Sequence, residues 1–166
     1  IAQLPLIKID FKVENESQHT LLNGEDVETE IRQLPVSNNV SQVAAIPAVR
    51  HALVAMQQKL GDQKGIVMDG RDIGTVVLPN ATVKIYLTAS AEDRAKRRYD
   101  ELVQKGTTVT FKEVYDDMVQ RDYNDMHREI APLKQADDAV LVDTTELDLE
   151  QSFEVLLETV NKLAKE

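Results

Sequence analysis

Cysteine and tryptophan are both absent from the 166 residues. Without cysteine there is no disulfide framework and no thiolate-held zinc or iron–sulfur site. The three histidines, His19, His51 and His127, show no metal-ligand spacing, and no Ser-His-Asp arrangement can be argued. No uninterrupted apolar run approaches the ~18–20 residues of a membrane-spanning helix, and no secretory signal pattern opens the chain. Positive charge is in deficit. With 19 Lys+Arg against 29 Asp+Glu the formal net charge is −10, which disfavours a general nucleic-acid binder because phosphate contacts need a basic face. The expected partners therefore include neither nucleic acid nor membrane, and a cytoplasmic location is the default. There is no internal repeat, low-complexity tract or long linker.

The hydrophobic fraction of 42% fits a globular chain and argues against wholesale disorder. The length suits one domain, or one domain with a small insert. A chain of this size buries roughly two thirds of its unfolded surface and needs no covalent staples. The first residue is Ile1 rather than methionine, so the expectation is a processed chain or a fragment.

Residues 4–13 (LPLIKIDFKV) alternate as a half-buried strand does. A polar break over 14–17 and a partner strand over 19–22 follow, and Asn23-Gly24 signals a turn. Residues 27–33 read as a short helix ending near Pro35, and 37–46 as the start of another. Pro47 suits a first helical turn. Val49, Leu53, Met56 and Leu60 then fall at helical period over 48–60, with Gly61 closing the helix. Beyond this the character changes. Three short apolar runs at 65–69, 83–87 and 139–143 alternate with helical stretches at 91–104, 111–127 and 149–164. That pattern predicts an α/β fold whose strands are buried on both faces of a parallel sheet. A small β-containing segment lies at 1–46, with the joint near Pro47.

Chemistry concentrates in three places. Asp69-Gly70-Arg71-Asp72-Ile73-Gly74 follows a predicted strand, where open α/β sheets bind ligands; its alternative is a solvated turn with a local ion pair. Seven of the eight arginines lie between residues 50 and 128, and arginine suits bidentate recognition of phosphate and carboxylate. Arg94, Arg97 and Arg98 share a helix face by their i, i+3, i+4 spacing. Without an anion they repel one another unless Glu92, Asp93, Asp100 or Glu101 relieve them. Arg121, Asp125 and Arg128 also share a face, either as a clamp for a sugar hydroxyl and a phosphate or as a surface ladder worth about 0.3–0.5 kcal/mol per pair. An arginine-rich α/β chain suggests phosphoryl transfer, yet G-x-x-x-x-G-K-[ST], the loop that cradles donor phosphates, does not occur in these residues.

Four stretches together carry a family resemblance: SQVAAIPAVR at 41–50, GIVMDGRDIGTVV at 65–77, EDRAKRR at 92–98 and RDYNDMHREIAPL at 121–133. In this order and spacing the chain resembles the bacterial cytidylate kinases, the (d)CMP kinases of the nucleoside monophosphate kinase class. The resemblance runs from Ile1 to the C-terminus. It implies a P-loop kinase-like parallel sheet flanked by helices, with a small β-containing insert. Residues 1–60 would form a CMP-binding region holding that insert. Residues 61–166 would form the core α/β portion, with a lid at about 97–110. The family's first strand and P-loop would lie before Ile1, outside these residues.

The resemblance implies that Ser41, Arg50 and Asp72 face the cytosine ring. A carboxylate accepts from the cytosine N4 amino group but repels the carbonyl of uracil, a difference worth about 1–3 kcal/mol. Arg71 and Arg128 would hold the acceptor phosphate, with Asp69 near it. Arg121 and Asp125 would reach the pentose. An arginine among Arg94, Arg97 and Arg98 would approach the transferring phosphoryl group on lid closure, in a reaction that is mostly positioning and charge neutralisation. ATP with Mg²⁺ would be the donor and CMP or dCMP the acceptor, no metal being held by these residues, in a protein that is monomeric if intact. Because an arginine finger alone is worth about 10³–10⁵ in rate, a chain without the P-loop is expected to be inactive or nearly so. A noncatalytic nucleotide-binding or regulatory module on the same scaffold is the alternative. A kinase for another small acceptor would show no effect of Asp72→Ala on base preference.

Overall fold

The computed structural model describes residues 2–63 and 65–164, without the side chains of Leu34, Ser37 and Asn38. Contacts gather the chain into two compact units that meet in sequence between Val67 and Met68.

The first unit opens with a single 3₁₀ turn at Leu4–Leu6. The expected strand over 4–13 is shorter as a result: β1 spans Ile9–Glu14, because Pro5 fixes φ and offers no N–H to a ladder. β1 pairs antiparallel with β2 (Ser17–Leu22), Ile9 opposite Leu22 and Glu14 opposite Ser17. The two-residue turn between them places Asn15 at φ 50° and Glu16 at φ 64°, the doubly left-handed geometry whose twist matches a hairpin. Asn23 (φ 52°) and Gly24 (φ 89°) repeat that geometry and lead into β3 (Glu25–Asp26). The helix expected over 27–33 shrinks to one 3₁₀ turn at Glu30–Arg32. It stops because Gln33 is extended (ψ 150°) and caps α1 (Leu34–Ala44), whose first turn accommodates Pro35. α2 spans Pro47–Gly61, again with proline in the first turn. Leu4, Pro5 and Ile7 face Ala52, Ala55, Met56 and Lys59 of α2 across an open groove of about 490 Å³.

The second unit differs from expectation at its start. The apolar run at 65–69 makes no strand among the described residues; an extended segment becomes a strand only when a neighbour accepts its ladder bonds, and Val67 is 101% exposed. After it the chain winds through a π-type turn at Ile73–Val77, closed by Val77 N–H donating to the Asp72 carbonyl (3.2 Å) and Leu78 N–H to Ile73 (2.7 Å). β4 (Ile85–Thr88) and β5 (Val140–Asp143) form the expected parallel pair, with Ile85 opposite Val140 and Thr88 opposite Asp143.

Between them run α3 (Ala91–Gln104) and α4 (Phe111–His127), packed on each other. Local signals set their ends. The Ser90 hydroxyl accepts from Asp93 N–H. Thr110 and Glu113 form a reciprocal capping box on α4. α3 closes with Gly106 at φ 76°, where Thr107 N–H reaches the Leu102 carbonyl and Gly106 N–H that of Val103, both at 2.9 Å; this double bond pattern favours glycine at the left-handed position. α5 (Leu149–Leu163) starts on the Asp148–Gln151 box.

The buried apolar centre of this unit is Val77, Ala89, Ala95, Leu102, Val114 and Val142. The Tyr99 and Phe111 rings add an edge-to-face contact at 6.1 Å. No described helix is long and apolar enough to cross a membrane.

Candidate functional site

The last turns of α4 and the residues ahead of the π-type turn bring four charged side chains into one chain of ion pairs. Arg71 Nε donates to Asp125 Oδ2 at 3.0 Å. The other oxygen, Oδ1, accepts from Arg128 Nη1 at 3.4 Å. Arg128 Nη2 then lies 3.6 Å from Asp72 Oδ1. Asp125 is 5% exposed, and the Arg128 and Asp72 side chains are nearly as covered, whereas Arg71 is open to water. The two arginines balance the two aspartates, Arg71 from the water-exposed side, and an uncompensated buried charge would cost several kcal/mol.

The backbone after α4 completes the arrangement. Leu133 N–H donates to the Asp125 carbonyl at 2.8 Å, and Arg128 Nε to the Ala131 carbonyl at 2.7 Å. Ala131 takes φ 51° to present that carbonyl, a left-handed conformation costing a non-glycine residue about 1–2 kcal/mol.

The spacing of these pairs bears on their chemistry. Charge-assisted N–H···O bonds settle near 2.7–2.9 Å; both contacts of Arg128 to the carboxylates are longer. Guanidinium groups match the oxygens of a phosphate as well as those of a carboxylate, so Arg71 and Arg128 are suited to a phosphate beside Asp125. Asp69 is exposed just upstream.

The first unit holds Ser41 and Arg50. Ser41 is half-buried near the end of α1. Arg50, in the first turn of α2, is 8% exposed. Its Nε donates to the Ala44 carbonyl at 3.1 Å, across the turn that Pro47 follows. That bond fixes the stem of the side chain and makes the arginine rigid.

The three arginines of α3 do not converge. Arg94 donates to Asp122 on α4 (2.6 Å) and to the Ala89 carbonyl (3.0 Å). Arg97 donates to the carbonyls of Thr144 (2.7 Å) and Leu147 (3.1 Å), after β5. Arg98 pairs with Glu101 at 2.7 Å. Mutual repulsion is thus relieved by one expected acid, Glu101, and otherwise by Asp122 and backbone carbonyls. The Lys105 and Arg98 cations beside Glu101 hold its carboxyl below the usual range. Residues 97–110 comprise the second half of α3, the Gly106 turn and an irregular stretch to Thr110.

Arg121 is exposed on α4; Asp125, four residues on, turns its carboxylate to Arg71 and Arg128. Three participants escape sequence reasoning: Asp122, and Ala131 and Thr144, whose backbone carbonyls accept from Arg128 and Arg97. Asp122 sits beside Arg121 in the same motif, so its residue type was visible, but its partner is 28 residues away. Among the described residues no group of three or more His, Asp or Glu could hold a metal ion.

Comparison with known proteins now bears on the arrangement. The family model described as Cytidylate kinase matches residues 2–162. The chain is 52% identical to the cytidylate kinase of Flavobacterium johnsoniae, over 99% of this chain and 73% of that protein. It is 50% identical to the cytidylate kinase of Bacteroides thetaiotaomicron, over 96% of this chain and 71% of the relative. With that of Caldicellulosiruptor bescii the identity is 51%, over 95% and 70%.

Proposed function

From the premise that the chain belongs to the cytidylate kinase family, and is thus a phosphotransferase, we propose that it serves transfer of the γ-phosphoryl group of ATP to CMP or dCMP. The products are ADP and CDP or dCDP. Mg²⁺ enters with ATP, and the residues described supply the acceptor side. Residues 1–60 are the CMP-binding region with its small β insert, and 61–166 are the core α/β portion with a lid at about 97–110. We read the protein as a cytoplasmic monomer. Neither an inactive chain nor a noncatalytic module draws support from the fold or the relatives.

The observation that carries this reading is the Arg71–Asp125–Arg128–Asp72 chain of ion pairs. Its two guanidiniums suit a phosphate, with Asp69 near it. Asp125 and Arg121 suit a pentose hydroxyl. Asp72, with Ser41 and Arg50, suits the cytosine edge: the carboxylate accepts from N4, and the serine hydroxyl and guanidinium donate to N3 and O2. Among Arg94, Arg97 and Arg98, at the start of the lid, one must leave its present acceptor to reach the transferring phosphoryl group. Arg98 is the least encumbered, since its Glu101 partner is a surface i,i+3 pair of the kind worth well under 1 kcal/mol. Such a step supplies charge neutralisation and water exclusion, with no general base required.

The test is phosphoryl transfer by the complete gene product, with Mg·ATP and CMP, dCMP or UMP followed by phosphorus NMR. CDP and dCDP should accumulate, and UDP more slowly. Equal rates with UMP, or no product from CMP, would refute the assignment.

A further inference from the structure

We propose that Asp125 is a positioning residue for the two phosphate arginines, in addition to any contact it makes with the pentose. This inference rests on the acceptor-site reading above. Its basis is geometric. The two oxygens of one buried carboxylate are shared between Arg71 Nε at 3.0 Å and Arg128 Nη1 at 3.4 Å. Arg71 reaches it from 54 residues away in sequence, Arg128 from the extended residue that caps the C-terminal end of the helix. Asp125 is itself immobilised: it is buried in α4, and its carbonyl accepts from Leu133 N–H at 2.8 Å. The side chain of Arg71 is otherwise open to water, where a free guanidinium samples many rotamers, and holding a long cationic side chain in one of them costs conformational entropy. A buried carboxylate that already grips both guanidiniums meets that cost before the ligand arrives, which is the general route by which preorganisation raises affinity.

The two roles of Asp125 separate cleanly. A residue that only reads the pentose contributes nothing to a ligand without pentose hydroxyls. A residue that sets the arginines contributes equally with or without them, because both ligands carry the same phosphate. The experiment is a calorimetric titration of the wild-type protein and Asp125→Asn with CMP and with its dideoxy analogue, which lacks both hydroxyls. Asp125→Asn should weaken the dideoxy analogue by about ten- to a hundredfold, the scale of one lost hydrogen bond to a charged group, and CMP by at least as much. In an Arg71→Gln background it should add less, since the share carried through the Arg71 contact is already lost and only the share through Arg128 remains. Asp125→Glu, which keeps the charge, should restore part of the affinity for both ligands; it also serves as the probe if the asparagine variant does not fold, again with a loss expected on the dideoxy analogue as well as on CMP. A loss confined to CMP, or no loss on either ligand, would overturn the inference while leaving the acceptor site standing. Failure of the wild-type protein to bind CMP would overturn the acceptor-site reading and this inference with it.

Discussion

Asp72→Asn separates base reading from structural charge pairing. The substitution keeps shape and one carbonyl acceptor but removes the charge 3.6 Å from Arg128, where both side chains are about nine-tenths covered. A pair this buried loses about 1–3 kcal/mol when one charge becomes a neutral acceptor, less than the ~3–5 kcal/mol of outright removal. For a chain of this size each kcal/mol moves the melting midpoint about 2–4 °C, so a fall of several degrees is expected. The backbone of the π-type turn is untouched, because Val76 and Val77 bond the Asp72 carbonyl rather than its side chain.

The effect on ligand choice has a different sign for each base. A carboxylate accepts from cytosine N4 and repels uracil O4; a carboxamide can rotate to accept from one or donate to the other. The preference for CMP over UMP should therefore shrink by about 5- to 150-fold, the equivalent of 1–3 kcal/mol. Paired titrations with CMP and UMP, alongside a thermal melt, read both effects. A lower melting point with an unchanged CMP-to-UMP ratio would refute the base-reading role and leave Asp72 as a structural counter-ion.

Other expectations concern the frame around the site. Thr110→Ala removes the hydroxyl that accepts from Glu113 N–H and so half the capping box of α4; it should cost about 0.5–2 kcal/mol, and an unchanged melting curve would show that the cap is dispensable. Acid should destabilise the fold through carboxylates held below their usual range: Asp138 by the Lys84 ammonium, Glu113 by the Thr110 backbone and hydroxyl, and Glu28 by the Thr20 hydroxyl and Arg32. Because these values are lowered on folding, their contribution is complete above the unfolded carboxylate range of about 3.9–4.3 and is lost as pH falls through the folded values. Denaturant midpoints measured from pH 6 to pH 3 should fall across that window, and less steeply in Lys84→Met; a flat profile would contradict the assigned pairings.

Helix limits were the most legible feature of the chain. The expected ranges 91–104 and 111–127 coincide with α3 and α4, because Ser90, Thr110 and Glu113 write the starts and Gly106 writes a stop. Strands were less so. The run at 65–69 has the composition of a buried strand, but composition reports burial preference, and a ladder depends on a neighbour that pattern cannot supply. The π-type turn at Ile73–Val77 was invisible, since no residue-level signal distinguishes it from a loop.

At the site, the i, i+3 spacing anticipated the contact of Asp125 with Arg128 but suggested Arg121 as a further partner, a place Arg71 fills instead. A contact spanning 54 residues is set by the fold, not by spacing. The α3 arginines show the converse: spacing put them on one face, and tertiary acceptors such as Asp122 and the Thr144 carbonyl drew them apart.

The central claim is that these residues form a site for a cytidine monophosphate, held by its phosphate and read by its base. It is tested most directly by calorimetric titration of the wild-type protein with CMP, UMP and cytidine. The account predicts the order CMP, then UMP, then cytidine, with cytidine weakest because Arg71 and Arg128 have no phosphate to engage. Binding of cytidine as tight as that of CMP, or no discrimination between CMP and UMP, would contradict it.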